Sequence, residues 1–177
     1  MSIRDMSTAI RLASAIQFKN LCKTRWNVDA ETEDPVFSAI SDDEKQAIRQ
    51  QLVPVLVSLA SASTPSQAIL SQMNESVALV ASSDFPEAWP ALIDELVSQL
   101  STDNHHVLLS VLATSHAIFK QWRSQFRSDA LYSEINLVLG KMANPLLELL
   151  QRMHGMLLDP STPSMTMQPL AQCHKML

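Results

Sequence analysis

Apolar residues recur at three- and four-residue intervals between positions 83 and 122, and this pattern predicts two amphipathic helices joined by a polar turn. Pro86 lies in the segment 85–90, where a proline suits the first turn of a helix, so we expect the first helix to begin there. The polar residues 101–104 end that helix and supply N-cap side chains for the second. Because each helix has its own apolar face, the pair needs further helices to bury both.

The same pattern extends along most of the chain. It predicts further helices over residues 7–26, 41–59, 67–81 and 129–153. Pro54 and Pro145 predict bends in the helices that contain them, and Gly155 is expected to end the last helix. Residues 28–41 are acidic and turn-prone, which predicts a protruding loop.

The spacing of the predicted helices favours a repeat architecture. The first helices of successive pairs start near Asp42 and Pro86, about 40 residues apart, which is the period of HEAT and armadillo helix pairs. We therefore predict an all-α fold, an α–α superhelix of a few stacked helical hairpins. A four-helix bundle is the alternative, and it would not need the repeated helix-pair period.

Composition agrees with an all-α intracellular protein. The chain has only 2 Gly in 177 residues, and its hydrophobic content of 46% is enough for a packed core. The net charge of -5 argues against binding driven by nucleic-acid phosphates, which needs a basic face. With 2 cysteines far apart, and neither a membrane-spanning run nor a signal-peptide pattern, we expect a soluble protein in a reducing compartment.

The search for catalytic chemistry is negative. Gly140 and Gly155 stand alone, so the chain has no glycine-rich phosphate loop. His105 and His106 are neighbours rather than an i, i+4 pair, and the Cys173–His174 pair has no second pair of ligands nearby. We therefore expect no enzyme activity, no catalytic residue, no cofactor and no metal site.

Three stretches carry a family resemblance. They are IRLASAIQFKN at 10–20, DFPEAWPALIDEL at 84–96 and HHVLLSVLATSHAIFKQWRSQF at 105–126. All three resemble the N-terminal region of the importin-beta superfamily. Their order, followed by EINLVLGKMANPL at 134–146, is most similar to the exportins that return importin-alpha from the nucleus to the cytoplasm.

The resemblance implies a HEAT superhelix whose inner helices, here 7–25, 67–81 and 104–122, line a concave surface. In this family that surface binds the GTP form of the small GTPase Ran, which permits binding of importin-alpha as cargo. The resemblance further implies shuttling between nucleus and cytoplasm through the nuclear pore, with nucleoporins as an additional class of partner and without nucleic-acid binding or membrane insertion. The residues that we predict to contact Ran are Lys19, Asn20, Lys23, Asn74, Glu75 and His106.

The resemblance also sets expectations for the domain limits. We expect residues 1–157 to form an N-terminal HEAT segment without its first outer helix, and 158–177 to be a Pro-, Ser- and Met-rich loop or short helix. Apolar stripes exposed at both ends of such a segment predict marginal solubility or self-association. Two other functions stay open on the sequence: a HEAT scaffold unrelated to nuclear transport, and a helical-bundle enzyme.

Overall fold

The computed structural model describes residues 8–27, 39–158 and 171 of the chain, and these residues form six α-helices and no strand. The helices are α1 (Thr8–Arg25), α2 (Asp42–Ala60), α3 (Gln67–Asp84), α4 (Leu92–Ser98), α5 (His105–Trp122) and α6 (Asp129–Leu158). A 3-10 turn, Gln99–Ser101, continues α4. None of the described helices combines the length and the apolar character needed to cross a membrane.

The helices stack in two layers. In the inner layer α3 packs between α1 and α5, and in the outer layer α4 contacts both α2 and α6. Contacts of α2 with α3 and α5 join the layers. The stepwise stacking confirms the predicted α–α superhelix and contradicts a bundle closed around one centre.

Helix boundaries follow from local capping chemistry. Ser41 is the N-cap of α2: its hydroxyl accepts a hydrogen bond from the Glu44 backbone N–H, and the Glu44 carboxylate accepts one from the Ser41 N–H. At α5 the Asn104 side chain accepts from the N–H groups of His106 and Val107. Both caps satisfy backbone donors that the first turn of a helix cannot pair internally.

A buried carboxylate holds the first three helices together. Asp84, the last residue of α3, is 8% exposed and accepts a hydrogen bond from the Trp26 indole N–H at 3.0 Å. Its second oxygen forms an ion pair with Arg49 of α2. The Asp84 main-chain oxygen accepts from the N–H groups of Ala88 and Trp89, so the same residue also sets the turn into α4.

Two basic side chains of α6 attach the last helix to α4. Lys141 forms a 2.7 Å ion pair with Asp94. The Arg152 guanidinium donates to the main-chain oxygens of Leu100, Ser101 and Thr102, at 2.8, 3.3 and 3.4 Å. Since these carbonyls end the 3-10 turn after α4 and lack partners within the helix, Arg152 caps the end of α4 from outside.

The start of α4 differs from the prediction. Residues 85–91 form turns, and α4 begins at Leu92 rather than near Pro86. Trp89 precedes Pro90, and a residue before proline is disfavoured in the helical region, so the helix can only begin beyond this pair. Phe85 and Trp89 are both buried, which anchors the turn in the core.

The end of α6 was also predicted wrongly. Gly155 lies within the helix, which continues to Leu158, and no described glycine has a positive φ. The packing of Met153, which is buried, and of Met156 and Leu157 against the core accounts for the extra turn. Helix α3 ends at Asp84, three residues beyond the predicted 81, and α2 and α6 continue past Pro54 and Pro145.

Two predicted segments lie mainly outside the described residues. They are the acidic loop over 28–41, of which 39–41 are described, and the tail over 158–177, of which Leu158 and Ala171 are described. Leu158 belongs to α6, and Ala171 is helical and exposed.

Replacing the buried carboxylate should test its role in stacking. We expect Asp84→Asn to lower the free energy of unfolding by about 2–4 kcal/mol, because Arg49 loses its partner in a largely buried position. Urea unfolding followed by circular dichroism measures the change. The control is Asp94→Asn, whose ion pair with Lys141 is largely exposed and should contribute less than about 1 kcal/mol. Equal losses in the two variants would contradict the structural role of Asp84.

Glu95 of α4 should give a pH-dependent stability. Burial raises the pKa of this carboxyl, against a smaller lowering by the hydrogen bond from the Trp89 side chain. The folded chain therefore binds a proton more readily than the unfolded chain, so this group adds stability as pH falls through the raised pKa toward the ordinary one. Glu95→Gln should unfold at a modestly higher temperature than wild type at neutral pH, with the difference vanishing in acid.

Glu44→Gln is the control of opposite sign. The pKa of Glu44 is lowered, first by the Ser41 backbone N–H and second by the Ser41 hydroxyl. The stability that Glu44 contributes is present above the ordinary glutamate pKa and is lost as pH falls through the lowered pKa of the folded chain. Thermal unfolding is measured from pH 3 to 8. At neutral pH the unfolding temperature of Glu95→Gln should lie above that of wild type and that of Glu44→Gln below it. Shifts of both variants in the same direction would refute the assignment of Glu95.

Candidate partner-binding surface

The open side of the inner layer forms one continuous surface, here called the inner face, built from α1, α3 and α5. Contacts along the helices show that the three run in the same direction. Lys19 pairs with Glu75 and, further along both segments, Trp26 pairs with Asp84, so α1 and α3 are parallel. Likewise Asn74 contacts Thr114 and, further along both helices, Ala78 contacts Gln121, so α3 and α5 are parallel. A wall of parallel helices of this kind is the surface that solenoid proteins offer to partners.

A cleft of about 650 Å³ opens on the inner face between α3 and α5. Its apolar lining consists of Ala78 and Leu79 from α3 and Ala113 and Ala117 from α5, so most of these side chains are small. The rest of the lining is polar; it consists of Gln67, Ser71, Asn74, Glu75, Lys120, Gln121 and Ser124. The cleft is therefore shaped for an apolar side chain framed by polar contacts, which is the usual make-up of a protein interface.

Asn74 connects the two helices that border the cleft. The hydroxyls of Ser110 and Thr114 lie 3.2 and 3.0 Å from Asn74 Oδ1, and the Ser110 hydroxyl is placed to donate to it. The single proton of the Thr114 hydroxyl is shared between Asn74 Oδ1 and the Ser110 main-chain oxygen, which lies 2.9 Å away. Further along, the Gln121 side-chain amide donates to the Ala78 main-chain oxygen at 3.1 Å. These bonds fix the spacing of α3 and α5, and with it the width of the cleft.

The residues predicted on α1 lie on one side of that helix. Lys19 and Lys23 are one turn apart, and Asn20 is adjacent to Lys19. Asn20 and Lys23 are exposed, whereas Lys19 is half-buried beside Glu75, with 3.4 Å between its Nζ and a carboxylate oxygen. The ion pair places Lys19 at the boundary between α1 and α3.

The remaining predicted residues lie on α3 and α5. Asn74 and Glu75 line the cleft, Asn74 half-buried and Glu75 exposed. His106 is exposed in the first turn of α5, seven and eleven residues before Ala113 and Ala117, so helical periodicity places it on the cleft side of that helix. The structure brings Lys19, Asn74 and Glu75 together and leaves His106 at the opposite end of the wall from Lys23.

Several lining residues were not predicted. Lys120 and Gln121 form the rim of the cleft near the end of α5, and Ala113 and Ala117 form its wall. The sequence does contain a signal for them. Ala113, Ala117 and Lys120 follow at spacings of four and three residues, which places them on one helix face with little side-chain volume. A cleft that forms because side chains are small is hard to identify from the sequence before the neighbouring helix is known.

Comparisons with known proteins address the family. Residues 3–58 match the model of the importin-beta N-terminal domain, and residues 118–176 match the Cse1 model. The chain is 38% identical over 147 residues to the importin alpha re-exporter of Saccharomyces cerevisiae, and 36% identical over 147 residues to exportin-2 of Drosophila melanogaster. Each alignment covers 83% of this chain and 14% of the relative.

A solved structure of the exportin Cse1, in its cargo-free, cytoplasmic state, superposes with a TM-score of 0.79 at 31% identity. The match covers 96% of this chain and 17% of that protein. The chain belongs to the exportin-2/importin-alpha re-exporter family. It spans about one seventh of the length of the relatives it matches, since the alignments cover 14% of each.

Family membership confirms the resemblance carried by the three sequence stretches. The Cse1 structure is a helical solenoid, so the two-layer stack seen here is a portion of this family's architecture. The Asp84–Phe85–Pro86 segment of the resemblance contains the carboxylate that joins α1, α2 and α3. In this chain the motif therefore has a structural role at the junction of three helices.

The bridge through Asn74 should be measurable as stability. We expect the double variant Ser110→Ala, Thr114→Val to lose about 1–3 kcal/mol of unfolding free energy, because the half-buried amide oxygen of Asn74 loses the Ser110 donor and the shared Thr114 hydroxyl. Ser71→Ala at the exposed edge of the cleft is the control and should stay within about 0.5 kcal/mol of wild type. Urea titration gives both values, and a double variant as stable as the control would refute the bridge.

Proposed function

We propose that this chain is a Ran-binding portion of a nuclear transport receptor that returns importin-alpha from the nucleus to the cytoplasm. The single observation that carries the proposal is the inner face itself, a continuous wall of three parallel helices in a chain of the exportin-2/importin-alpha re-exporter family. The GTP form of Ran would dock on this wall, and the receptor would be found in both nucleus and cytoplasm.

The charges of the inner face support docking of a protein with mixed surface charge. Lys19, Lys23 and Lys120 provide cations, while Glu75 provides an exposed carboxylate between them. Such alternation fixes the register of a partner and contributes more to specificity than to raw affinity. The small side chains of the cleft add an apolar recess into which a partner's side chain would fit.

Importin-alpha enters the proposal through the relatives. Two of them are named as importin-alpha re-exporters, and their alignments with this chain cover 14% of their length. We assign Ran contact to this portion because the residues that the family resemblance implies for Ran contact lie on its inner face. Cargo contact by the receptor would involve surfaces additional to those in this chain.

Nucleotide-dependent binding tests the proposal. Immobilised chain is exposed to Ran loaded with a non-hydrolysable GTP analogue or with GDP, and binding is followed by biolayer interferometry. We expect saturable binding of the GTP-analogue form and at least about tenfold weaker binding of the GDP form, a difference of about 1.4 kcal/mol. Equal binding of both forms, or binding of neither, would refute the proposal.

Charge reversals locate the contact. Lys23→Glu and Glu75→Lys on the inner face should each weaken binding of the GTP-analogue form, because the first inverts a cation of the proposed contact and the second replaces the carboxylate that pairs with Lys19 by a like charge. Glu148→Lys is the matched control, since Glu148 is exposed on α6 of the outer layer. Weakening by the control to the same extent as by Glu75→Lys would mean that the contact is not on the inner face.

A further inference from the structure

The side chain of Asn74 is held by α5 in one orientation. Its Oδ1 lies 3.2 Å from the Ser110 hydroxyl and 3.0 Å from the Thr114 hydroxyl. The Thr114 proton is shared with the Ser110 main-chain oxygen, whereas within the described residues the Ser110 hydroxyl has Asn74 Oδ1 as its one acceptor. An amide NH2 group has no acceptor capacity, so a rotated Asn74 amide would leave the Ser110 proton unpaired. The Ser110 hydroxyl therefore fixes the amide oxygen toward α5.

The nitrogen end of the same amide is open to the cleft. Asparagine carries two N–H donors on Nδ2, and the hydrogen bonds that join Asn74 to other described residues use its side-chain oxygen. Asn74 is half-buried, and its Nδ2 is not among the buried polar atoms of the described residues, so both donors reach solvent. Since Asn74 lines the cleft between α3 and α5, these donors are available to a molecule that enters it.

The surroundings of the two donors define the chemistry of the group that they would bind. Glu75, the next residue along α3, is exposed and lines the same cleft, so its carboxylate disfavours an anionic acceptor beside Asn74. The alanines at 113 and 117 give the facing wall an apolar surface with little side-chain volume. A main-chain carbonyl oxygen next to an apolar side chain satisfies both conditions.

We propose that Asn74 Nδ2 donates a hydrogen bond to a main-chain carbonyl oxygen of Ran, while a neighbouring apolar side chain of Ran packs against the alanines of the cleft. This inference rests on the proposed function, and it adds the atom that makes the contact and the group that this atom recognises. Because Oδ1 is already held by α5, the donors are oriented before binding and lose little freedom when the partner arrives.

Asn74 is in this way a specificity-determining residue of the inner face. A partner that covers the cleft removes water from the Nδ2 donors. If that partner places no acceptor there, the donors are left unpaired in a desolvated position, which is costly. The cleft therefore discriminates against surfaces that match it in shape alone.

The variant Asn74→Asp separates the two ends of the side chain. Aspartate keeps an oxygen at the position of Oδ1, so the hydroxyls of Ser110 and Thr114 keep their acceptor. At the other position it replaces the NH2 group by an oxygen, which can only accept. The variant thus removes the donors and retains the bridge to α5.

Urea unfolding tests the orientation of the amide without any partner. We expect Asn74→Asp to unfold at the urea midpoint of wild type and Asn74→Ala at a lower one, because only the alanine variant removes the bridge to α5. A midpoint for Asn74→Asp as low as that of Asn74→Ala would mean that the hydroxyls need the NH2 group. That result would overturn the inference.

Binding of Ran loaded with the non-hydrolysable GTP analogue tests the donation. Asn74→Asp should bind at least about tenfold more weakly than wild type, because the carbonyl of Ran then meets a second acceptor. Gln50→Glu adds the same charge at an exposed site on α2 of the outer layer and should bind like wild type. Equal weakening in the two variants would overturn the inference.

Salt separates the loss of a donor from the effect of an added charge. The Debye length falls from about 10 Å at 0.1 M salt to about 3 Å at 1 M, so a purely electrostatic effect of the new carboxylate shrinks. We expect the ratio of wild-type to Asn74→Asp affinity to persist at the higher salt concentration. A ratio that falls to one would show an effect of charge only and would overturn the inference.

Failure of this inference is distinguishable from failure of the proposed function. Wild-type chain that binds Ran while Asn74→Asp binds it equally well contradicts the donation by Asn74 and leaves the proposed function standing. Wild-type chain that binds neither nucleotide form refutes the proposed function, and the donation by Asn74 falls with it.

Discussion

A single buried residue makes polar contacts with three separate parts of the chain. Asp84 accepts from the Trp26 indole, pairs with Arg49, and through its main-chain oxygen receives the two N–H groups of the turn that leads into α4. A charge in a largely buried position is stable only when its partners are in place, so the ends of α1 and α3 and the middle of α2 are forced into one arrangement. Lys45, whose Nζ lies 6.0 Å from the Trp26 ring centre, adds a second contact from α2 to the same tryptophan.

The inner face depends on that arrangement. With α1 held beside α3 by Trp26 and Asp84, Lys19 reaches Glu75, and the hydroxyls of α5 then reach Asn74 on the other side of α3. Helix α3 is thus fixed along both flanks by polar contacts, while its apolar residues such as Val77 and Val80 are fully buried toward the outer layer. The inner face is consequently a result of how the helices stack.

Much of the fold was predictable because amphipathic periodicity and capping act locally. The capping box of α2 and the Asn104 cap of α5 follow from residues within one turn of each boundary. The start of α4 and the end of α6 were not predictable in the same way, since the first depends on how Trp89 is buried and the second on core contacts of Met156 and Leu157. The residues proposed to contact Ran were assigned to helices from spacing and the family resemblance, and their role stays a prediction. The cleft could not be predicted, because its shape arises from small side chains on α3 and α5 that only the tertiary fold brings together.

The common direction of α1, α3 and α5 has an electrostatic consequence. Peptide dipoles along parallel helices add, giving each helix about half a positive charge at its N-terminus and half a negative charge at its C-terminus. One long border of the wall, where His106 lies, is therefore electropositive from the backbone alone, and the opposite border is electronegative. Lys23 and Arg25 in the last turn of α1 and Lys120 in that of α5 lie at the electronegative border and offset it. Any molecule that spans the inner face therefore meets an electrostatic polarity that arises from the main chain. Side-chain substitutions cannot remove it.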